Sequence, residues 1–580
     1  MSYEKHAKRV ILLWNHGQSS KSLKPSKVYV IAIVLFFCLM QLWSLATPLF
    51  AGPDEPVQII KSYAVDHGQL LGQLDTQPGQ QEFSMVHVPG FYSVDRAIPK
   101  CYDHHSNIPA SCAPPPTTSC HHLPGSTAPP CGVAFIYNAR YPPLYYLVIG
   151  TVGFISPSQT VIYLMRALSA LIASALLALA VMSSLCYCSR PIIATGLVIA
   201  ITPMVIYLGA VVNPASLEIA AGLATWTTGI ILATDNQDIY QRKLIIFLTI
   251  SASVMVLSRP ISPFWLSLIA VFIVILAGKD RLSSLVGRRD FQVMMAVVFF
   301  FSLVATIWIL KEHATDVLST SKVPASVPMI NILEQSFRHN IYYIPTMVGV
   351  FGTFDTYSPA FTYVLYYAMI VLIFLLSFIA GSKKEKFLLV ALAVLIILLP
   401  VAISSSQAHL YGYTWNGKDT LPFAVGLPIL AAAVIVKKIF AADTRPVMVA
   451  NEAVVVSSGL SSALSAPDKD RIDHETSGEG KRKSITLRKP FVIIFANLQK
   501  LWFSFLLMAA LGQFLSFYEA IRRYSVGIAG PDFAFLWKAP WNAPLGNATL
   551  VGLDFILMCI FVILGKKVIS GQIIGQDSVK

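Results

Sequence analysis

The chain reads as an all-α integral membrane protein of about twelve transmembrane helices, and three observations lead to that class. Hydrophobic residues fill 55% of the 580 positions and charged ones only 13%, with a mean hydropathy of +0.64. Apolar runs repeatedly approach the roughly 20 residues that cross a bilayer as a helix. Lysines and arginines collect between alternate runs rather than spreading evenly along the chain. Together these exclude an ordinary soluble enzyme.

The spans fall near 28–48, 161–185, 191–211, 215–234, 244–258, 261–278, 291–310, 360–381, 387–403, 421–436, 500–518 and 549–565. The first follows a basic tail, residues 1–27, carrying Lys5, Lys8, Arg9, Lys21, Lys24 and Lys27. Its apolar stretch is long for the core of a secretory signal and no small-residue cleavage motif follows it, so it is read as an uncleaved span. With that tail in the cytoplasm, Arg242-Lys243, Lys279 to Arg289, Lys383-Lys384-Lys386, Lys481-Arg482-Lys483 and Lys566-Lys567 fall on the same side. Only Arg522-Arg523 lands outside against the rule. The even number of spans returns both termini to the cytoplasm in a multi-pass cell-membrane protein. The net charge of +13 then reports topology and contact with anionic lipid. Nucleic-acid binding would need a soluble basic domain, and only 437–499 could supply one, so no nucleic-acid partner is expected.

The organisation that follows is a tail (1–27), a transmembrane module (28–436), a cytoplasmic linker (437–499) and a C-terminal pair of spans (500–580). Residues 451–489 of the linker are rich in Ser, Gly and charge and are expected to be disordered. On the opposite face the first and fourth external loops, 51–160 and 311–359, are large, with shorter loops at 211–214, 404–420 and 519–548. Large loops on one face point to work on that face.

Cys101, Cys112, Cys120 and Cys131 lie in the first external loop among proline-rich turns. An even set of cysteines outside the cytoplasm most simply forms two disulfides, with three pairings open. The competing reading is a metal site that recruits His104-His105 and His121-His122, although the spacing fits no tight zinc pattern. Cys38, Cys186, Cys188 and Cys559 lie in or near spans and read as packing residues.

Pro53-Asp54-Glu55-Pro56 places adjacent carboxylates where the first span should emerge into water. One reading is a turn or helix cap, since the prolines restrict the backbone and Asp favours turns. The other is chemical. A carboxylate partly desolvated at a membrane boundary is costly unless paired, and its pKa is expected to rise toward values suited to a general base.

Further motifs join it: Arg140-Tyr141-Pro142-Pro143-Leu144-Tyr145-Tyr146, Asn213-Pro214, Ser258-Arg259-Pro260, Phe351-Gly352-Thr353-Phe354-Asp355, and Trp415-Asn416-Gly417 leading to Leu421-Pro422. Spread over residues 30–437, this set resembles a bacterial family of multi-pass membrane proteins of unknown function, which is itself similar to GT-C glycosyltransferases that use polyprenyl-phosphate sugars. Two positions depart from the family pattern. Gln58 replaces a His three residues after the motif Glu, and Lys418-Asp419 replaces an Arg-Tyr pair.

The resemblance implies a GT-C-like fold and an inverting transferase that moves a sugar from a polyprenyl-phosphate donor to an envelope glycan or lipid acceptor. Asp54 would then be the catalytic base, with Glu55 orienting the acceptor. A divalent cation is a possible cofactor, with Glu55 and Asp355 as its candidate ligands. The departing lipid phosphate needs positive charge, for which Arg259, Arg140 and Lys418 are the candidates, each with a snorkelling alternative, while Arg166 reads as structural. Asp355, Tyr141, Tyr145 and Trp415 are candidate substrate contacts, with a surface turn and an aromatic interface belt as their plainer readings. No Walker loop, dinucleotide fingerprint or nucleophile elbow stands out. The alternative from another class is a secondary transporter or flippase of lipid-linked glycans, and a third is a non-catalytic envelope scaffold.

Overall fold

The protein is seen here as a computed structural model that describes residues 23–74, 83–95, 98–114, 132–188, 193–235, 238–315, 322–443 and 498–569. Cys120, Cys131, the tail up to residue 22 and the linker segment 451–489 lie outside the described residues. Among the described residues, eleven helices are long and apolar enough to cross a membrane, and a bent pair raises the number to twelve. The all-α multi-pass class follows directly.

Helix α1 (Pro25–Ala46) opens on a proline in its first turn, where no N–H is needed, and is followed by a turn at Leu49-Phe50 that Ala51 N closes on Pro48 O. A short helix α2 (Glu55–Asp66) follows, then α3 (Gly90–Asp95) and α4 (Leu144–Gly150). The polar connection between α2 and α4 carries a three-stranded antiparallel sheet of β1 (Gln73–Leu74), β2 (Ser84–His87) and β3 (Val133–Ile136), in which Ser84 faces Ile136. A disulfide joins Cys101 to Cys112, which settles one of the open pairings.

Helix α5 (Gln159–Cys186) packs along α1, and α6 (Ile193–Ala200) and α7 (Pro203–Ala210) form the bent pair, which turns by 64°. Pro203 cannot continue the preceding helix. The polar groups at the break are satisfied, as a membrane interior demands: Thr202 Oγ1 donates to Met347 O at 2.7 Å, and Ile201 O accepts from Gln513 Nε2 at 3.1 Å. Helix α8 (Pro214–Thr234) is buried almost all round and forms the axis of the bundle. Its start is fixed by Asn213, whose side chain accepts from Ala215 N, and by Pro214 at the first helical position.

The remaining elements are α9 (Asp238–Val256), α10 (Ser262–Val286), α11 (Arg289–Lys311), α12 (Met329–Gly349), the hairpin β4 (Val350–Phe351) and β5 (Thr356–Tyr357), α13 (Ala360–Ala380), α14 (Lys383–Tyr411), α15 (Gly417–Ala424), α16 (Gly426–Asp443), α17 (Leu498–Val526) and α18 (Asn547–Ile569). Three of these correct the predicted boundaries. Helix α12 occupies much of what the sequence suggested was a loop at 311–359, while α14 and α17 continue eight residues beyond the predicted spans 387–403 and 500–518. These stretches carry polar residues such as Glu334, Arg338 and Arg523, which hide helices from a hydropathy reading. All three prolong helical structure at the end of the bundle where α1 finishes.

Candidate functional site

The two motif carboxylates have different surroundings. Glu55 and Arg166 are both fully buried and form a bidentate pair, with Arg166 Nε donating to Oε1 at 2.7 Å and Nη2 to Oε2 at 2.6 Å. Gly52 N and Val212 N also donate to Glu55, while Arg166 donates to the carbonyls of Ser44, Thr47 and Pro48 at the end of α1. Every polar group of this pair is therefore engaged in holding α1, α2, α5 and the 211–213 turn together. Glu55 cannot meet an acceptor, which corrects its assignment as a catalytic residue, and Arg166 is buried in this pair rather than anchored at the headgroups.

Asp54 points the other way. It caps α2 in the left-handed region at φ 59°, a conformation Asp tolerates better than most side chains. Asn213 Nδ2 fixes the turn by donating to Pro53 O at 2.7 Å, so two sequence motifs meet here. The Asp54 carboxylate accepts from Tyr137 Oη at 2.7 Å and from Lys418 Nζ at 2.5 Å. Its side chain stays 39% open, whereas that of Lys418 is 5% open. Burial works to raise the Asp54 pKa, but the Lys418 charge, the two hydrogen bonds and the Arg259 charge outweigh it and hold the carboxyl below its usual range. This reverses the raised value that the sequence predicts from desolvation alone, because Lys418 lies 364 positions away in the chain.

Arg259 stands behind this pair. Nη1 donates to Glu218 at 3.1 Å and Nη2 to Asp419 at 2.8 Å, and Ser262 Oγ donates to the other Glu218 oxygen at 2.7 Å. Burial acts to lower the Arg259 pKa, yet Asp419 and Glu218 overcome it and push it upward. Asp419 is itself held by its capping box with Asn416. Lys418 thus supplies the partner of Asp54, and Asp419 a partner of Arg259. Tyr141 lies beside Arg259; burial first, and the Asp54 charge among other causes, raise its phenol pKa, so it remains a hydroxyl donor.

The other predicted site residues divide. Arg140 is half-buried, and its guanidinium forms no ion pair among the described residues; its carbonyl accepts from Trp308 Nε1 at 2.9 Å. Tyr145 is buried with its hydroxyl 2.9 Å from Ser169 Oγ, and Trp415 is buried with Nε1 donating to Thr420 at 2.9 Å. Both belong to the frame, which corrects their assignment as sugar-facing rings. Gln58 is likewise buried, accepting from Tyr146 Oη and Asn138 Nδ2. Asp355 accepts from Arg523 at 2.8 Å, and Arg523, fully buried, also donates to Thr356 Oγ1 and to the carbonyls of Tyr102 and Ile108. Asp355 is therefore a fastening point for the disulfide segment 98–112, which corrects its assignment as a substrate contact. The neighbouring Phe354 does reach the site, its ring centroid 5.3 Å from Lys418 Nζ.

Glu55 and Asp355 are both occupied by arginines, and among the described residues no group of three or more His, Cys, Asp or Glu could hold a metal ion. These residues do not fit a resident divalent cation. Sequence reasoning missed Glu218, Tyr137 and Arg523. A lone glutamate inside an apolar span was the available signal for Glu218. The predicted exception to the charge rule was the signal for Arg523: both arginines are neutralised in place, Arg522 by Glu519 and Asp532, Arg523 by Asp355.

Lys61, on α2, is fully buried and donates to Leu70 O at 2.8 Å and to Ala139 O, just after β3. Burial pushes its pKa down to about 7. The folded state thus binds fewer protons than the unfolded chain between that value and the ordinary lysine value of about 10.4, so this group makes stability rise with pH across that window. Melting temperature in detergent is expected to climb from pH 7 to pH 10 more steeply in the wild type than in Lys61→Met. Equal slopes would show that Lys61 titrates normally.

The fold and this cluster define a multi-pass membrane protein with a network of buried and half-open ionic groups at one end of its bundle. The chain belongs to the DUF2142 family of predicted membrane proteins, whose profile matches residues 36–417. That match covers every site residue named above from Asp54 to Trp415, and stops one residue before Lys418. No curated protein and no solved structure matches the chain.

Proposed function

We propose that the protein is an inverting glycosyltransferase of the GT-C type, which moves a sugar from a polyprenyl phosphate to a hydroxyl of a cell-envelope glycan or lipid. Both termini then lie in the cytoplasm and the site faces outward. The observation that supports this best is a half-open, ionised Asp54 held beside two cations, Lys418 and Arg259, at the end of a membrane bundle. An acceptor hydroxyl gives its proton to Asp54 while its oxygen attacks the anomeric carbon. The carbon–oxygen bond to phosphate breaks, and the electron pair leaves with the lipid phosphate. Lys418, Arg259 and Arg140 meet that charge.

The depressed Asp54 pKa belongs to a resting state, since a base so acidic is poorly matched to neutral pH. A donor phosphate that draws Lys418 toward itself weakens the Lys418–Asp54 contact and restores basicity to Asp54 only when substrate is present. Tyr141, beside Arg259, contacts the donor sugar in this reading.

The test is transfer by purified protein from a panel of radiolabelled polyprenyl-phosphate sugars to envelope extracts, comparing wild type with Asp54→Asn. Transfer by the wild type alone is the expected result. Absence of transfer by folded wild type from any donor, with acceptor demonstrably present, would favour a transporter or flippase of lipid-linked glycans. Equal transfer by both would remove Asp54 from the chemistry.

A further inference from the structure

We infer that α12 is an interfacial helix, lying in the surface of the bilayer at the Asp54 end with one apolar stripe sunk in membrane lipid. Ile330, Leu333, Phe337, Ile341 and Ile344 recur at the spacing that places side chains on a single helix face. All five are exposed, by 38 to 69%. From Ile330 to Ile344 the stripe runs roughly 21 Å at the usual helical 1.5 Å per residue, and a continuous apolar surface left uncovered marks a contact with something else. Two other faces frame it. Ile332, Ser336 and Asn340 are buried in the protein, while Asn331, Glu334, Gln335 and Arg338 are exposed, with Arg338 Nη2 donating to Glu334 Oε1 at 2.6 Å. Around the helix the order is therefore protein, apolar stripe, polar stripe. A helix half-sunk at the boundary between hydrocarbon and water needs that order.

The neighbour of α12 identifies what covers the stripe. Asn340 donates through its side chain to Ile397 O in α14, one of the helices long and apolar enough to cross the membrane. Val394, Ile397 and Leu398 of α14 are exposed, and on a spanning helix such side chains face the hydrocarbon of the bilayer. Phe337 and Ile341 flank Asn340 along α12, so the stripe continues the lipid-facing surface of α14. Helix α12 is not itself among the candidate spans, since polar residues alternate with its apolar ones. It meets lipid without crossing it. The seating also bears on the ionic cluster. Thr346, buried on α12, accepts from Gly417 N at 2.9 Å, immediately before Lys418, the partner of Asp54. The helix that touches lipid thus braces the segment that holds Asp54.

Photocrosslinking of the full-length protein in dioleoylphosphatidylcholine vesicles tests the inference, with p-benzoylphenylalanine introduced at one position at a time and lipid adducts measured by mass spectrometry. Leu398→p-benzoylphenylalanine, on the lipid-facing side of α14, sets the yield in hydrocarbon. Gln335→p-benzoylphenylalanine, on the polar stripe of α12, sets the yield in water. Phe337→p-benzoylphenylalanine and Ile341→p-benzoylphenylalanine are expected to come within about twofold of the Leu398 yield and to exceed the Gln335 yield by roughly tenfold, as an apolar face buried in the acyl region requires. All four side chains are exposed, so each variant is expected to keep the melting temperature of wild type in detergent, which separates lost contact from lost fold. Yields at Phe337 and Ile341 no higher than at Gln335 would overturn the inference. Crosslinks to a second copy of the chain in place of lipid would overturn it in favour of a subunit interface. None of these readouts depends on sugar transfer.

Discussion

Glu55→Gln is expected to destabilise the folded protein by about 3–5 kcal/mol, the usual cost of leaving one member of a buried ion pair without its partner. Gln keeps the size and two polar atoms of Glu but removes the charge that compensates Arg166, which is itself fully buried. It also replaces an acceptor oxygen by an amide donor, while the groups around it, Arg166 Nε and Nη2, Gly52 N and Val212 N, are all donors. The measurement is recovery of monodisperse protein and its melting temperature in detergent. Asp54→Asn, one residue earlier, is the control: its carboxylate is half-open, so the variant is expected to fold and insert normally while losing transfer. If Glu55→Gln were as stable as wild type, the Glu55–Arg166 pair would not be what fastens α2 to α1 and α5.

Lys418→Met is expected to slow transfer by roughly 10²–10³-fold, the usual loss when a donor aimed at developing charge is removed, and to move the acid limb of its pH profile upward. The direction follows from the causes of the Asp54 shift. Burial raises that pKa, and the Lys418 charge with its hydrogen bond is the foremost opposing influence. Without Lys418, only Tyr137 and the more distant Arg259 oppose burial, so Asp54 takes up its proton at higher pH. In wild type the carboxylate's pKa lies below its ordinary value; the stability it contributes is present above that ordinary value and is lost as pH falls through the depressed one. The profile of kcat/KM between pH 4 and 8 reads the shift. An acid limb that stays in place would mean that Asp54 is not the group titrating in it.

The membrane architecture was legible because span length and charge placement are averaged over many residues, and single exceptions do not disturb them. All twelve predicted spans have helical counterparts, the one at 191–211 as a bent pair. The motif positions were also legible as a group, and Pro53, Asn213, Arg259 and Lys418 are all tied into one cluster. Individual roles were not. Asp54 and Glu55 are neighbours in sequence, yet the left-handed turn at Asp54 and the helix beginning at Glu55 send them to opposite environments. Asp355 looked exposed in a Gly-containing turn, but its partner Arg523 is 168 positions away. Glu218 disappears in a hydropathy window because one carboxylate cannot outweigh the apolar residues beside it. In each case the missing information was a long-range ionic partner, which local pattern does not carry.

The Arg523 anchor also has a consequence for the order of biogenesis. Its partners Tyr102 and Asp355 precede it by 421 and 168 residues. At a synthesis rate of about 5–20 residues per second, roughly 20–80 s separate the emergence of Tyr102 from that of Arg523. Until the last helix pair is inserted, the Asp355 carboxylate and the 102 and 108 carbonyls wait without their arginine. The end of the protein that is made early is therefore completed late, and a chain that stops before Arg523 leaves that end unfinished even though every residue matched by the family profile has been made.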